Sequence, residues 1–254
     1  RTYSTRNDSK GIVNEVEHLV VYSKLPDWNP NKLPRTAEMD AKYKNPDNDI
    51  MPWTSSDAFA PGAATHRGMV YAIQHPFTGK LLYPYNGACW RYQQDAMLEY
   101  MSGWTKYELR EIDDAEKRAE ICGVSEKEIR SGVMGILLAD TLDIAKENAS
   151  KILRRGQWPR FYFTNGGKGG IRRKTYIDSV EGKPPTNYWP YADVGHTDEA
   201  AKIVKAIFGG KATFDTPKPP RLIERILQIA GDNNTLILDS FAGSGTTAHA
   251  VLNM

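Results

Sequence analysis

The residues with the clearest chemical potential lie in the stretch "LDSFAGSGTTAHA", residues 238–250. There, Asp239 ends an apolar run, and Gly243-Ser244-Gly245 leads into helix-forming residues. Glycines at a turn between a strand and a helix let a ligand approach the backbone, and the helix that follows presents free N–H groups. The pattern predicts a ligand-binding loop, although packing of a strand against a helix can use the same turn. No lysine follows the second glycine, so a Walker-type phosphate loop is disfavoured.

A second cluster is the run from Lys151 to Lys174, which is basic, contains no aspartate or glutamate, and is interleaved with aromatic residues. Clustered cations of this kind are typical of phosphate contacts with nucleic acid. The structural alternative is a pair of surface strands with a buried aromatic face and solvated basic side chains. The residues predicted to contact DNA are Arg154, Arg155, Arg160, Lys168, Arg172, Arg173 and Lys174.

Composition excludes several classes of protein. The 254 residues carry a formal charge of only +2, so the whole-chain charge indicates no partner. Cys89 and Cys122 lie far apart and form no C-x-x-C pair, and neither a metal site nor a disulfide framework is expected. No apolar run approaches the roughly 20 residues of a membrane span, and no signal peptide is evident, so we expect a cytoplasmic protein without a membrane partner. The chain begins at Arg1 rather than methionine, from which we expect a fragment of a longer protein.

Periodicity and turn residues predict the elements that position these motifs. Residues 27–62 are rich in proline, asparagine and aspartate and are expected to be irregular. Ser125 and Glu128 form a capping box that predicts the start of a helix. The predicted strands are residues 16–22 and 236–238 and two within 157–180; the predicted helices are residues 93–101, 107–121, 125–155 in one or two pieces, 197–207, and the segment from the prolines at 219–220 to Gly231.

The closing region, "FDTPKPPRLIERIL" followed by "TLILDSFAGSGTTAHAVLNM", resembles the S-adenosylmethionine (AdoMet) region of amino-group DNA methyltransferases. It is most similar to the modification (Mod) subunits of prokaryotic type III restriction–modification systems. Upstream, "HPFTGKLLYPYNGACWRY", "GQWPRFYFTNGGKGGIRRKTYID" and "PPTNYW" resemble segments of the same family, and "NEVEHLVVYSK" resembles its motif VIII. The motif order places the cofactor half last, which explains why a domain-opening loop stands at the C-terminus.

The resemblance implies an α/β protein, part of a Rossmann-like AdoMet-dependent methyltransferase fold with an inserted α+β target-recognition region. Residues 1–25 would be the tail of the catalytic half, with a motif VIII-like strand. Residues 26–160 would form the target-recognition and DNA-binding region. Residues 161–254 would hold connecting strands, the TPKP motif and the AdoMet loop.

The implied activity is transfer of the AdoMet methyl group to the exocyclic amino group of adenine in double-stranded DNA, with the base flipped out of the stack. Asp239 would bind the methionine amino group, Phe241 would wall the cofactor, and Lys218 would lie near its carboxylate. The partners implied are DNA, a second methyltransferase subunit and a restriction subunit with helicase and nuclease activity. The residues assigned to cofactor binding are Thr216, Pro217, Lys218, Pro219, Asp239, Phe241, Gly243, Ser244, Gly245 and Thr246.

The catalytic motif of that family, Asp/Asn/Ser-Pro-Pro-Tyr/Phe, does not occur in these residues. Pro184-Pro185 stands between Lys183 and Thr186, and Pro219-Pro220 between Lys218 and Arg221. We therefore expect no catalytic residue in this chain, a catalytic motif upstream of Arg1, and no methylation by the 254 residues alone.

Three other interpretations remain open. The target could be the N4 atom of cytosine, or RNA in place of DNA. The chain could be a DNA-binding or regulatory module with a degenerate cofactor site. A dinucleotide-dependent oxidoreductase would also use the glycine pattern, but it gives the Thr-Pro-Lys-Pro segment no role.

Overall fold

The computed structural model describes residues 16–211 and 213–254, which divide into two compact units. Residues 36–180 form one unit, here called the inserted unit, and the residues up to Arg35 together with Glu181–Met254 form the other, the flanking unit. The expected domain limits at 26 and 160 differ from these. The difference at 160 arises because the strands within 161–176 pair with a strand at 53–57, which keeps them in the inserted unit.

The inserted unit contains three small sheets. Their strand orders are β1-β9-β8, β2-β5 and β4-β3-β7-β6, and every pairing except β3 with β7 is antiparallel. The strands are β1 Trp53–Asp57, β2 Phe59–Pro61, β3 Ile73–Gln74, β4 Leu81–Leu82, β5 Ala88–Trp90, β6 Tyr107–Arg110, β7 Gly135–Leu138, β8 Phe161–Phe163 and β9 Ile171–Tyr176. The helices are α1 Ala37–Asp40, α2 Gln94–Ser102, α3 Ala115–Cys122, α4 Leu142–Arg155 and the single turn α5 Thr164–Gly167.

Large aromatic side chains fill the core of this unit. Trp90, Trp104, Phe161 and Phe163 are almost completely buried. The indole N–H groups of Trp90 and Trp104 each donate to a carbonyl, that of Trp104 to Phe161 at 2.8 Å, so burial leaves neither donor unpaired. The aromatic residues of β8 are therefore core residues, as the structural alternative for the basic run expects.

Two predicted helices of the inserted unit are wrong in part. Residues 107–121 divide into strand β6 and helix α3, and strand β7 lies inside the segment predicted as helix 125–155. The two strands pair with each other, Tyr107 opposite Leu138, and β7 is buried along its whole length. A short apolar run fits a buried strand as well as a helix, and tertiary pairing decides between them. The capping box of Ser125 and Glu128 is present, but it closes a single 3₁₀ turn.

Among its described residues the flanking unit contains four helices, and the two longest confirm the helices predicted at 197–207 and from the prolines at 219–220 to Gly231. Pro220 occupies the first turn of its third helix and Gly231 caps it, and the Arg221 guanidinium binds both carboxylate oxygens of Glu199 at 2.9 and 2.7 Å. This ion pair joins the second and third helices. The helices are α6 Tyr191–Val194, α7 Thr197–Ile207, α8 Pro220–Ala230 and α9 Thr246–Asn253.

Two predicted strands of the flanking unit are not formed. Residues 16–22 and 236–238 have no regular structure and are largely exposed, with Leu236 98% accessible. A strand needs a neighbour for its backbone N–H and C=O groups, and neither segment belongs to a sheet within the residues that the structure describes. The beginning of the motif VIII-like segment, residues 14–15, lies outside the described residues.

The chain leaves and rejoins the flanking unit at one place. Leu33 and Lys183 exchange backbone hydrogen bonds at 2.8 and 2.9 Å, and the Lys32 ammonium binds the Glu181 carboxylate at 2.7 Å. These contacts hold the two crossing segments side by side.

An ion cluster lies at the centre of the β1-β9-β8 sheet. The Lys174 ammonium, on β9, is completely buried and contacts the carboxylates of Asp47 and Asp49. It also donates to the Trp158 carbonyl at 2.7 Å, and the Tyr176 hydroxyl donates to Asp49 at 2.7 Å. Burial raises the pKa of Asp49, but the hydrogen bonds from Lys174 and Tyr176 outweigh it and hold that pKa below its usual value. We call these residues the Lys174 cluster.

His75 ties two loops together inside the inserted unit. Its side chain is 2% exposed; Nδ1 accepts the Phe77 N–H at 3.1 Å, so Nε2 carries the proton and donates to the Gly169 carbonyl at 3.1 Å. Burial lowers the pKa of His75 below the ordinary value of 6.5, with the Gly169 bond opposing that shift. The neutral imidazole is thus part of the folded structure.

We expect the stability of the chain to fall as the pH drops below 6.5, in part through His75. The unfolded imidazole binds a proton there while the folded one stays neutral, so acid favours unfolding; above 6.5 the contribution is complete. Urea unfolding of wild type and His75→Gln between pH 5 and pH 7.5 measures the effect. The variant should show a shallower rise of unfolding free energy with pH, and equal slopes would contradict the assignment.

Candidate cofactor-binding site

The glycine loop of the flanking unit fixes an exposed carboxylate at its start. Asp239 Oδ1 accepts the Phe241 N–H at 3.1 Å, and Oδ2 accepts the Thr247 hydroxyl at 2.7 Å. These two hydrogen bonds lower the pKa of Asp239, and the bond from Thr247 has the larger effect. Asp239 is therefore ionised at neutral pH and is held in one orientation, as a group that binds an ammonium must be.

The turn itself depends on two glycines in the left-handed region. Gly243 has a φ of 55° and Gly245 a φ of 73°, angles that residues with a Cβ rarely adopt. The Gly245 N–H donates to the Ala242 carbonyl at 2.7 Å, and helix α9 begins at the next residue. The first N–H groups of α9 thus follow the loop directly and can hold an anionic oxygen.

A hydrogen bond brings the two motifs of the closing region together. The Thr246 hydroxyl donates to the Lys218 carbonyl at 3.1 Å, across 28 residues of sequence. Pro217 and Pro219 are buried on either side of Lys218, whose side chain is exposed. The buried prolines anchor the segment while its lysine faces solvent.

A cavity of about 310 Å³ opens beside these contacts. It is lined on one side by Lys218, Ser244, Gly245 and Thr246, and on the other by an apolar stripe of α7 that includes Val204. Its volume falls at the lower end of the roughly 300–1,000 Å³ typical of small-molecule sites. The stripe on α7 was missed by the sequence analysis because apolar helix faces usually serve packing alone.

The other predicted cofactor residues lie near this cavity in sequence but do not line it. Thr216 is exposed, and Phe241 is 92% exposed. Gly243 has a neighbour in Phe214, whose ring would lie 3.4 Å from an added Cβ. The structure brings together the centre of the predicted set, namely Lys218 and residues 244–246, and the roles of all ten residues stay predictions.

The predicted DNA-contacting residues of the inserted unit fall into three groups. Arg154, Arg155 and Lys168 are exposed. Arg172 is occupied by the Asp57 carboxylate at 2.8 Å and by the Ser55 hydroxyl at 2.8 Å.

The remaining three basic residues are partly or fully inside the inserted unit. Arg160 is half-buried with its guanidinium 5.9 Å from the ring centres of both Tyr92 and Tyr100, and Arg173 is also half-buried. Lys174 is a correction: its ammonium is buried in the Lys174 cluster, so it cannot reach a phosphate, and it is withdrawn from the predicted set.

Comparisons with known proteins identify a matching family model and several similar proteins. A family model described as DNA methylase matches residues 2–254. The chain is 43% identical over 91 residues to the Mod subunit of the type III restriction-modification enzyme StyLTI of Salmonella typhimurium, a match covering 36% of this chain and 14% of that protein. It is 38% identical over 102 residues to the type II methyltransferase M.KpnI of Klebsiella pneumoniae, covering 39% of this chain and 23% of that protein.

A third relative is the Mod subunit of the type III restriction-modification enzyme EcoPI of Escherichia phage P1, 36% identical over 80 residues that make up 32% of this chain and 12% of that protein. The chain thus spans well under a third of the length of each of these relatives. None of the helices in residues 16–211 and 213–254 has the length and apolar character needed to cross a bilayer.

Proposed function

The chain belongs to the DNA methylase family, and from that premise we propose that it is part of a site-specific methyltransferase that modifies the exocyclic amino group of adenine with the methyl group of AdoMet. The observation that carries the proposal is the hydrogen bond from Thr246 to Lys218 at the mouth of the cavity. It joins the two segments on which cofactor binding would depend. The similarity to type III Mod subunits favours adenine over cytosine.

The residues of the flanking unit fit the methionine end of AdoMet. An ionised Asp239 would bind the ammonium, and the first N–H groups of α9, with Lys218, would bind the carboxylate. When bound, AdoMet supplies a methyl group on a positively charged sulfur. The apolar stripe of α7 would exclude water from one side of the ligand. Thr216, Pro217, Pro219, Phe241, Gly243, Ser244, Gly245 and Thr246 complete the proposed cofactor set.

The fold and partners follow from the same family. We place the flanking unit in a Rossmann-like methyltransferase domain, with the inserted unit as its target-recognition region. The proposed partners are double-stranded DNA, a second methyltransferase subunit and a restriction subunit of a cytoplasmic restriction–modification system. Arg154, Arg155 and Lys168 remain the exposed members of the proposed DNA-contacting set, whereas Arg160 and Arg172 are held by the contacts described above and Arg173 is half-buried.

The proposal is tested by methyl transfer from radiolabelled AdoMet to duplex DNA with the complete protein. Digestion of the product to nucleosides and mass spectrometry should show N6-methyladenine. N4-methylcytosine would leave the family assignment intact and overturn the adenine assignment, and labelled RNA without labelled DNA would overturn DNA as the substrate. The 254 residues alone are expected to transfer no methyl group, because they contain no Asp-Pro-Pro-Tyr-type motif; measurable transfer by them would contradict this.

A further inference from the structure

A cavity of the inserted unit lies away from the basic run that the sequence singles out. It is a groove of about 480 Å³ between the segment 64–69, the start of α2 and the segment 128–130. Most of its lining side chains, among them Gln93 and Arg130, are exposed. A small-molecule site encloses most of its ligand, whereas an open groove of this kind suits the surface of a polymer.

The groove carries positive charge that its own acidic residue does not cancel. Arg67 and Arg130 line it together with Glu128. The Glu128 carboxylate is occupied by the backbone N–H and hydroxyl of Ser125, at 3.1 and 2.7 Å. Arg67 is also occupied, since it donates to the carbonyls of Ala64 at 2.8 Å and Glu128 at 2.6 Å. Arg67 shapes the groove, and the cation left for a ligand is Arg130.

The backbone of Arg130 is fixed, whereas its guanidinium has no partner among the described residues. The buried Arg118 guanidinium donates to the Arg130 carbonyl at 2.6 Å and to the Val70 carbonyl at 3.1 Å, which fixes the backbone of the segment. The Arg130 guanidinium makes no hydrogen bond or ion pair with any residue that the structure describes. A preorganised, unpaired guanidinium is the group that binds a phosphate or the edge of a guanine in two-pronged fashion.

Gly68 determines where the Arg130 side chain lies. A Cβ built at Gly68 would stand 2.9 Å from Arg130 Cδ and 3.1 Å from its Nη1. The arginine therefore lies directly across the glycine backbone, and a single methyl group would displace it. Gln93, another exposed polar side chain of the groove, is of a type that reads an adenine edge.

We propose that this groove is a DNA-contacting surface in which Arg130 makes the contact and Gly68 positions it. The inference rests on the proposed function, because it takes DNA as the partner. It assigns affinity for DNA to individual residues outside the basic run, within the region 26–160 for which the family resemblance implies DNA binding.

The test measures binding of the complete protein to two short fluorescent duplexes over a range of KCl concentrations. One duplex contains the sequence that the protein methylates, and in the other that sequence is altered. Arg130→Ala should weaken binding about tenfold, and for a phosphate contact the slope of log affinity against log salt should fall by about 0.9. A loss confined to the methylated site would identify a base-edge contact. Arg110→Ala is the matched control, since it removes an exposed arginine that does not line the groove.

Gly68→Ala separates position from charge. It leaves the net charge unchanged but displaces the Arg130 side chain, so it should weaken binding to an extent similar to Arg130→Ala, while the thermal unfolding midpoint shows whether the fold is kept. If the Arg130→Ala variant binds DNA as tightly as the Arg110→Ala variant, the groove is not the DNA surface. If Arg130→Ala weakens binding but Gly68→Ala does not, the positioning role of Gly68 is overturned. Absence of DNA binding by wild type would instead refute the proposed function itself.

Discussion

Replacing Lys174 by alanine is expected to lower the free energy of unfolding of the inserted unit by about 3–5 kcal/mol. Its ammonium is the only cation in contact with the Asp47 and Asp49 carboxylates in the part of the chain that the structure describes. Removing it leaves two carboxylates without a counter-ion, and the Asp47 side chain is completely buried. The Trp158 carbonyl loses its donor at the same time.

The loss should come from unpaired charge rather than from lost volume. Lys174→Met keeps most of the side chain and should lose nearly as much, whereas a near-normal Met variant would indicate that the cavity matters more. Lys168→Ala is the matched control: Lys168 is an exposed lysine beside the same strands, and its removal should change stability by about 0.5 kcal/mol or less. Urea unfolding followed by tryptophan fluorescence measures all three variants. A Lys174→Ala protein that unfolds at the wild-type urea concentration would refute the role of the cluster.

Replacing Gly245 by alanine is expected to weaken AdoMet binding by the complete protein about 100-fold, equivalent to about 2.7 kcal/mol. Gly245 lines the cavity, and its φ of 73° is one that alanine adopts at a cost of about 1–2 kcal/mol. No atom lies within 4 Å of the position that the new methyl group would take. In the proposed site the methyl group would occupy space meant for AdoMet and would strain the loop that holds it.

Gly87→Ala provides a control with the same backbone strain. Gly87 has a φ of 82° and open space beside it, but it belongs to the inserted unit and lines no part of the cofactor cavity. Both variants should lose a similar amount of stability, and only Gly245→Ala should lose affinity for AdoMet in calorimetry. Equal affinity in the two variants would show that the loop is not the cofactor site.

Local signals in the sequence were sufficient for the two longest helices of the flanking unit and for the glycine turn at residues 243–245. In α8, prolines at the start, one apolar face and Gly231 at the end all indicate the same helix, which the structure contains. The turn at residues 243–246 can be predicted from the sequence because its backbone requires the glycines at 243 and 245. These features depend on residues close together in the chain, which a single sequence displays.

Long-range contacts explain what the sequence did not reveal. In the sequence Lys174 cannot be told from the basic residues beside it. Its partners Asp47 and Asp49 lie more than 120 residues away, and they make it a core residue. The groove is similar: Gly68 and Arg130 share no motif, and they meet in the folded unit, where the Arg118 guanidinium holds the Arg130 backbone carbonyl. A sequence shows how many basic residues a chain has, but only the folded structure shows which of them are exposed to solvent.

The paired crossing at Leu33 and Lys183 gives the molecule a modular joint. Because the two segments are hydrogen-bonded to each other, the ends of the inserted unit meet at nearly one point, and closing or reopening that point costs little chain entropy. Such a joint lets an inserted unit be exchanged at two neighbouring points of the fold, while the flanking helices keep their own contacts. Under the proposed function, exchange of residues 36–180 as a block would change the DNA specificity in one step rather than by accumulated single substitutions.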